Sequence, residues 1–122
     1  MSKWRAGIYL RLSSDDDEPK VESNSITNQR SLINHFLSDY KDIDKYKYYV
    51  DDGYTGTDFN RPSFIEMMDD IQSRKINCVI VKDLSRLGRN YINVGNFIDD
   101  IIPRYKLRFI SVNDNIDSFL KP

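Results

Sequence analysis

Cysteine is nearly missing from this chain: Cys78 stands alone among 122 residues, so no internal disulfide can form. Histidine is as scarce. The single His35 falls in a helical stretch, so no Ser–His pair is at hand to activate a hydroxyl. No window approaches the ~18 consecutive apolar residues of a membrane span. The opening Met1-Ser2-Lys3-Trp4-Arg5 lacks the apolar stretch of a secretory signal, and a cytoplasmic setting is the expectation that follows. Positive charge is not in surplus either: 18 basic and 19 acidic side chains leave a net charge of −1. A self-sufficient nucleic-acid binder usually carries a basic excess. Any contact with DNA must therefore come from a local basic cluster or from a region outside this chain.

What remains is a foldable composition. Apolar residues make up 39% of the chain, with 8 Tyr and 6 Phe to fill a core, enough for one domain. Neither a repeat nor a low-complexity tract interrupts it.

Strand-like and helix-like segments alternate. Trp4–Leu12 is a compact apolar run that reads as a strand. Residues 13–24 form a polar loop. Ser25 can cap a helix whose stripe is Ile26, Leu32, Ile33, Phe36, Leu37 and Tyr40. Tyr46–Val50 reads as a second strand, and the glycines and acids of 51–60 as a loop. Pro62 suits the first turn of a helix with Phe64, Ile65, Met68 and Ile71 on its buried face. Ile76–Val81 is an unbroken apolar run, as a central parallel strand requires. A further helix turns Val94, Phe97, Ile98, Ile101 and Ile102 inward and ends at Pro103. Leu107–Val112 is a fourth strand, and the pattern over 113–122 is ambiguous. The alternation predicts a three-layer α/β fold: a mostly parallel sheet of four to five strands flanked by helices.

In such sheets, functional groups gather beyond the carboxyl ends of the strands. There the sequence places Arg11 and Ser13 after the first strand, Arg61 before the second helix, and Lys82-Asp83-Leu84-Ser85-Arg86-Leu87-Gly88-Arg89-Asn90 after the third. If the last segment is helical, Arg86 and Arg89 share a face. Guanidiniums around one serine hydroxyl would lower its pKa, bind a tetrahedral anion and stabilise charge on phosphoryl oxygens. Arginine suits this better than lysine because its planar fork stays charged. Serine with clustered arginines, and no acid cluster holding a metal, points to metal-independent phosphoryl transfer without a cofactor.

Taken singly, these residues say little. Ser13 alone reads as a loop serine, Arg61 as a surface residue near a helix start, and Arg86 with Arg89 as a solvated basic face. Asp15-Asp16-Asp17-Glu18 reads as a solvated loop, with a metal site as the lesser reading. Cys78, inside an apolar run, reads as a small buried hydrophobe. The weight lies in the convergence of several regions on one sheet edge.

Four motifs together make the chain recognisable. Tyr9-Leu10-Arg11-Leu12-Ser13 resembles the Tyr-x-Arg-x-Ser opening of the resolvase/invertase family of serine site-specific recombinases. Ser25-Ile26-Thr27-Asn28-Gln29-Arg30 resembles that family's first helix start. Asp52-Gly53-Tyr54-Thr55-Gly56-Thr57 through Asn60-Arg61-Pro62 resembles the loop delivering its middle arginine. Val81 to Arg89 resembles its Arg-x-x-Arg segment. The resemblance spans nearly the whole chain. It implies that Ser13 attacks the scissile phosphate to leave a 5′-phosphoserine link and a free 3′-hydroxyl. It implies that Arg11, Arg61, Arg86 and Arg89 bind and activate that phosphate, that Gln29 helps position the site, and that resealing needs no ATP. Ser14 is the rival nucleophile, but the motif register favours Ser13.

One position departs from the small resolvases, which usually carry Asp where Ser85 stands. Serine there, with Arg61-Pro62, resembles the large serine recombinases of the transposon and phage-integrase kind. A role for an acid at 85 is thus in doubt, and Asp83 does not simply replace it. The resemblance further implies a bacterial, nucleoid-associated protein acting on specific sites in double-stranded DNA. The full-length protein would be a homodimer or tetramer, while residues 1–122 would form a catalytic fragment lacking the DNA-binding regions and monomeric on its own. Two other classes compete: a receiver-like signalling domain using Asp15–Asp17 and Asp83, and a metal-dependent nuclease using Asp15, Asp51 and Asp52.

Overall fold

A computed structural model describes residues 4–12, 25–53, 61–88 and 91–119, without the side chains of 91–93. The first strand, β1 (Trp4–Leu12), is buried along most of its length. It is followed by α1 (Ile26–Leu37), where the Ser25 hydroxyl accepts the Asn28 N–H at 3.1 Å and so satisfies an orphan donor of the first turn. Then come β2 (Ile43–Asp52), α2 (Pro62–Gln72), β3 (Cys78–Val81) and the one-turn α3 (Leu84–Leu87). Next, α4 (Tyr91–Asn96) continues into a wider π-helical stretch at Phe97–Ile101 and closes as α5 (Ile102–Arg104). Pro103 gives that widening a cause: it has no N–H to donate and its ring crowds the carbonyl four residues back. The last strands are β4 (Arg108–Ser111) and β5 (Ile116–Asp117).

The sheet runs β2-β1-β3-β4-β5; the first four strands are parallel, and β5 returns antiparallel to β4. This is the expected mostly parallel α/β sheet, with the undecided tail supplying β5. Its pleat separates two apolar layers. Ala6, Ile8, Leu10, Cys78, Ile80 and Ile110 face α1 through Ile33 and Leu37. Tyr9, Tyr49, Val79, Val81 and Phe109 face the other way, toward Phe64, Met67, Ile71, Leu87 and Phe97. At the bulge between Ala6 and Gly7, the Tyr49 ring lies so close that a Cβ on Gly7 would meet it at 2.7 Å. Only glycine fits there without displacing the ring.

Several expectations need correction. The second strand begins at Ile43, not Tyr46, because Asp44 and Lys45 are exposed on an edge strand whose alternation they disguise. On α2, Met67 is buried while Ile65 is 45% exposed: from Pro62 onward the inward positions fall at 64, 67 and 71. Ile98 is 37% exposed, because the π-helical stretch shifts the stripe begun by Phe97. The third strand starts at Cys78, two residues after Ile76.

Strand order reverses between β1 and β3, since β1 leads to β2 on one side and β2 leads to β3 on the other. A crevice opens at such a reversal, beyond the carboxyl ends of the two strands.

Candidate active site

Three of the arginines singled out by the sequence meet at that crevice. Arg11 projects from the end of β1, Arg61 immediately precedes α2, and Arg86 lies in α3 beyond β3. Neither Arg61 nor Arg86 is the surface residue it would be if taken alone: Arg61 has 0% exposure and Arg86 has 4%, and Arg11 is likewise at 0%. A buried guanidinium is costly unless its N–H groups are bonded. Much of that bonding comes from the carbonyls of α3, which a single helical turn leaves without intrahelical partners. Arg11 Nη2 donates to Ser85 O at 2.6 Å and its Nε to Arg86 O at 3.1 Å. Arg61 Nη2 donates to Leu87 O at 2.6 Å and its Nη1 to Arg86 O at 3.2 Å.

The end of β1 is held in turn. Arg86 Nη1 donates to Arg11 O at 2.6 Å, and Gln29 Nε2 reaches the same carbonyl from α1 at 3.0 Å. Gln29 is fully buried. These two side chains grip the main chain two residues before Ser13. Ser13 and Arg89 themselves, with Ser14 and Asp15–Glu18, lie outside the described residues. The described part of α3 ends at Leu87, so the shared helical face of Arg86 and Arg89 lies outside it too.

Arg61 is steadied by residues to which the sequence assigned no such role. Its Nη1 donates to the Tyr9 hydroxyl at 3.0 Å, and that hydroxyl donates to Asp51 Oδ2 at 2.9 Å. Asp51 also accepts the Ser63 and Phe64 N–H groups at 3.0 and 2.9 Å, tying the network to the first turn of α2. The guanidinium lies 4.7 Å from the Phe64 ring centroid. Burial pushes the Tyr9 phenol far above its ordinary pKa, against the opposing pull of Arg61, so it stays a donor. Tyr9 appears in the first motif, but nothing in its spacing announces this role.

At the other end of α3, Asp83 Oδ1 accepts the Ser85 hydroxyl at 2.5 Å and lies 3.4 Å from Arg86 Nε. Arg86 Nη2 donates to the same hydroxyl at 3.1 Å. Burial would raise the Asp83 carboxyl, but the Ser85 bond, Arg86 and Lys82 outweigh it and hold the pKa below its ordinary value. Burial also lowers the pKa of Lys82, at the end of β3.

Two of the acids named for the competing classes are otherwise engaged, Asp51 on Tyr9 and α2 and Asp83 on Ser85 and Arg86, while Asp15–Asp17 lie outside the described residues. Asp52 is exposed at the end of β2. His35 is exposed on α1, and Cys78 is buried, with desolvation pushing its thiol up to about 12. Among the described residues no helix is long and apolar enough to cross a membrane.

Comparison with known proteins bears on this arrangement. The family described as "Resolvase, N terminal domain" matches residues 6–119. The N-terminal catalytic domain of TP901-1 integrase superposes with a TM-score of 0.80 at 25% identity, over 94% of this chain and 82% of that one. A resolvase family site-specific recombinase from Streptococcus pneumoniae is 31% identical with a TM-score of 0.75, over 98% of this chain and 78% of that one. The C-terminal catalytic domain of ISC1926 TnpA, an IS607-like serine recombinase, shares the fold at a TM-score of 0.70 and 19% identity, over 88% of this chain and 67% of that one. No curated protein sequence matches.

Proposed function

Because this chain belongs to the serine recombinases, as a resolvase-type N-terminal catalytic domain, we propose that its carboxyl sheet edge cuts and rejoins DNA through Ser13. The observation that carries this reading is the convergence of Arg11, Arg61 and Arg86 around the end of β1, two residues before that serine. Ser13 Oγ attacks the scissile phosphorus. A bond from Oγ to the 5′-phosphate forms, the bond to the 3′-oxygen breaks, and the proton given up by the serine is balanced by the one the 3′-hydroxyl gains. Attack by a 3′-hydroxyl on the phosphoserine reverses the step after strand exchange. Phosphodiester energy is conserved throughout, so neither ATP nor a cofactor is required.

Arg11, Arg61, Arg86 and Arg89 supply positive charge to the phosphoryl oxygens. Since Arg11 and Arg61 are enclosed, meeting the phosphate means exchanging α3 carbonyls for phosphoryl oxygens. Gln29 anchors the main chain that carries Ser13. The register from Arg11 favours Ser13 over Ser14, and the Arg61-Pro62 pair with Ser85 favours the large transposon or phage-integrase kind.

With a net charge of −1, the domain supplies the chemistry while further regions of a longer protein find the site on double-stranded DNA and assemble dimers and tetramers. The domain by itself is a monomer. The setting is the bacterial cytoplasm, at the nucleoid.

The test is to trap the covalent adduct of the full-length protein on its DNA site and map the attached residue. Attachment at Ser13, and its complete loss in Ser13→Ala, is the expected result. An adduct that persists in Ser13→Ala overturns the assignment.

A further inference from the structure

Asp83 occupies the N-cap position of α3, where an aspartate ordinarily accepts the N–H groups of the first turn. Here it does not. Its side chain makes no capping bond; the Leu84 N–H is taken at 2.8 Å by Asp114, from the turn between β4 and β5. Asp114 is itself held by the Ser111 hydroxyl at 2.7 Å. Capping has passed to another element, and the Asp83 carboxylate turns to Ser85 and Arg86.

We propose that Asp83 is a positioning residue, whose carboxylate aims the Arg86 guanidinium directly and through the Ser85 hydroxyl. The inference rests on Arg86 serving the phosphate, as assigned above. The guanidinium is planar, so fixing its edge fixes the whole fork. Asp83 and Ser85 hold Nε and Nη2, at 3.4 and 3.1 Å, which leaves Nη1 directed at Arg11 O at 2.6 Å. The Arg86 carbonyl meanwhile receives Arg11 Nε and Arg61 Nη1. One acid outside the arginine cluster thus sets the aim of a residue that both grips the end of β1 and receives the other two guanidiniums. The hydroxyl at 85 relays the pull of a carboxylate rooted two residues earlier.

The closing experiment separates aiming from capping. In the full-length protein, Asp83→Ser keeps a residue suited to a helix N-cap and removes the carboxylate. Adduct formation under single-turnover conditions should fall on the order of 10- to 100-fold, the scale at which misplacing a catalytic group is felt. Melting temperature and DNA affinity should stay near wild type. Asp83→Asn, nearly isosteric, should behave alike and serves if the serine variant folds poorly; Ser85→Ala should show a smaller loss. In an Arg86→Lys background, the same Asp83 change should cost less than about threefold, because coupled residues are not additive. Full adduct formation in Asp83→Ser and Asp83→Asn, or an undiminished loss in the Arg86→Lys background, overturns the proposal. Wild-type adduct formation by Arg86→Ala would instead remove the assignment on which it rests.

Discussion

Buried arginines occur at both ends of the sheet, and the described residues bond them differently. At the amino end of β4, Arg108 is 3% exposed and grips Asp117 with two parallel bonds, Nε to Oδ1 at 3.0 Å and Nη2 to Oδ2 at 2.7 Å. Asp42 stands 3.8 Å away, and the rings of Phe119 and Trp4 pack over the guanidinium at 4.8 and 5.3 Å. At the carboxyl end, Arg11 and Arg61 donate to the main-chain carbonyls of α3, and Arg61 also to the Tyr9 hydroxyl that Asp51 holds. A carboxylate on the neighbouring strand fastens Arg108 in place, while Arg11 and Arg61 are gathered onto the carbonyls of a single helical turn at the site. The contrast shows why burial alone does not mark an arginine as structural.

Breaking each cluster should show the difference. Arg11→Ala or Arg86→Ala in the full-length protein should lower strand cleavage by about 10²–10³-fold, the usual consequence of deleting a group that stabilises transition-state charge. DNA binding by other regions should survive. A parallel loss of binding, read by gel shift, would make these arginines docking contacts. Arg108→Ala should instead cost stability, about 3–5 kcal/mol by chemical denaturation, because it strands the Asp117 charge. Cleavage per folded molecule should be unchanged. Replacing both partners, Arg108→Met with Asp117→Leu, should restore most of the loss. The same apolar replacement at Arg86 should recover no cleavage.

Alkali should reach the carboxyl-end network through Tyr9. Burial raises the Tyr9 and Tyr49 phenols in the folded state. The stability linked to them is therefore complete below the unfolded phenol pKa, near 10, and declines as pH rises beyond it, by about 1.4 kcal/mol per pH unit for each phenol. Tyr49→Phe should flatten that decline in an alkaline unfolding series; an unchanged slope would show that Tyr49 does not contribute. The smallest effect is expected at Cys78. Burial pushes its thiol to about 12, and Asp117 and Asp42 oppose the help of Arg108. Thiol reagents should leave the native protein unlabelled at pH 8, and Asp117→Asn should raise labelling only slightly. Fast labelling of the unaltered protein would show that Cys78 is reached by solvent despite its burial.

Much of this was legible in the sequence, for a physical reason. Parallel strands buried on both faces write unbroken apolar runs, so β1 and β3 announced themselves, and so did the Ser25 cap. Amphipathic faces were read less well where an apolar residue sits off the stripe, as Ile65 and Ile98 do. The convergence of Arg11, Arg61 and Arg86 followed from one rule about strand ends. Their partners did not: a main-chain carbonyl has no letter in the sequence. The turn of Asp83 away from its helix accompanies a bond from the Leu84 N–H to Asp114, 30 residues further along the chain.

The sheet's borders carry a last consequence. A long unpaired strand edge invites another chain to add a strand. Here β5 is only two residues long and runs against its neighbour. The opposite border, β2, exposes Asp44 and Lys45, charges that resist being stacked against a copy. Among the described residues, the shortness of one border and the charges on the other make each a poor template for a further strand.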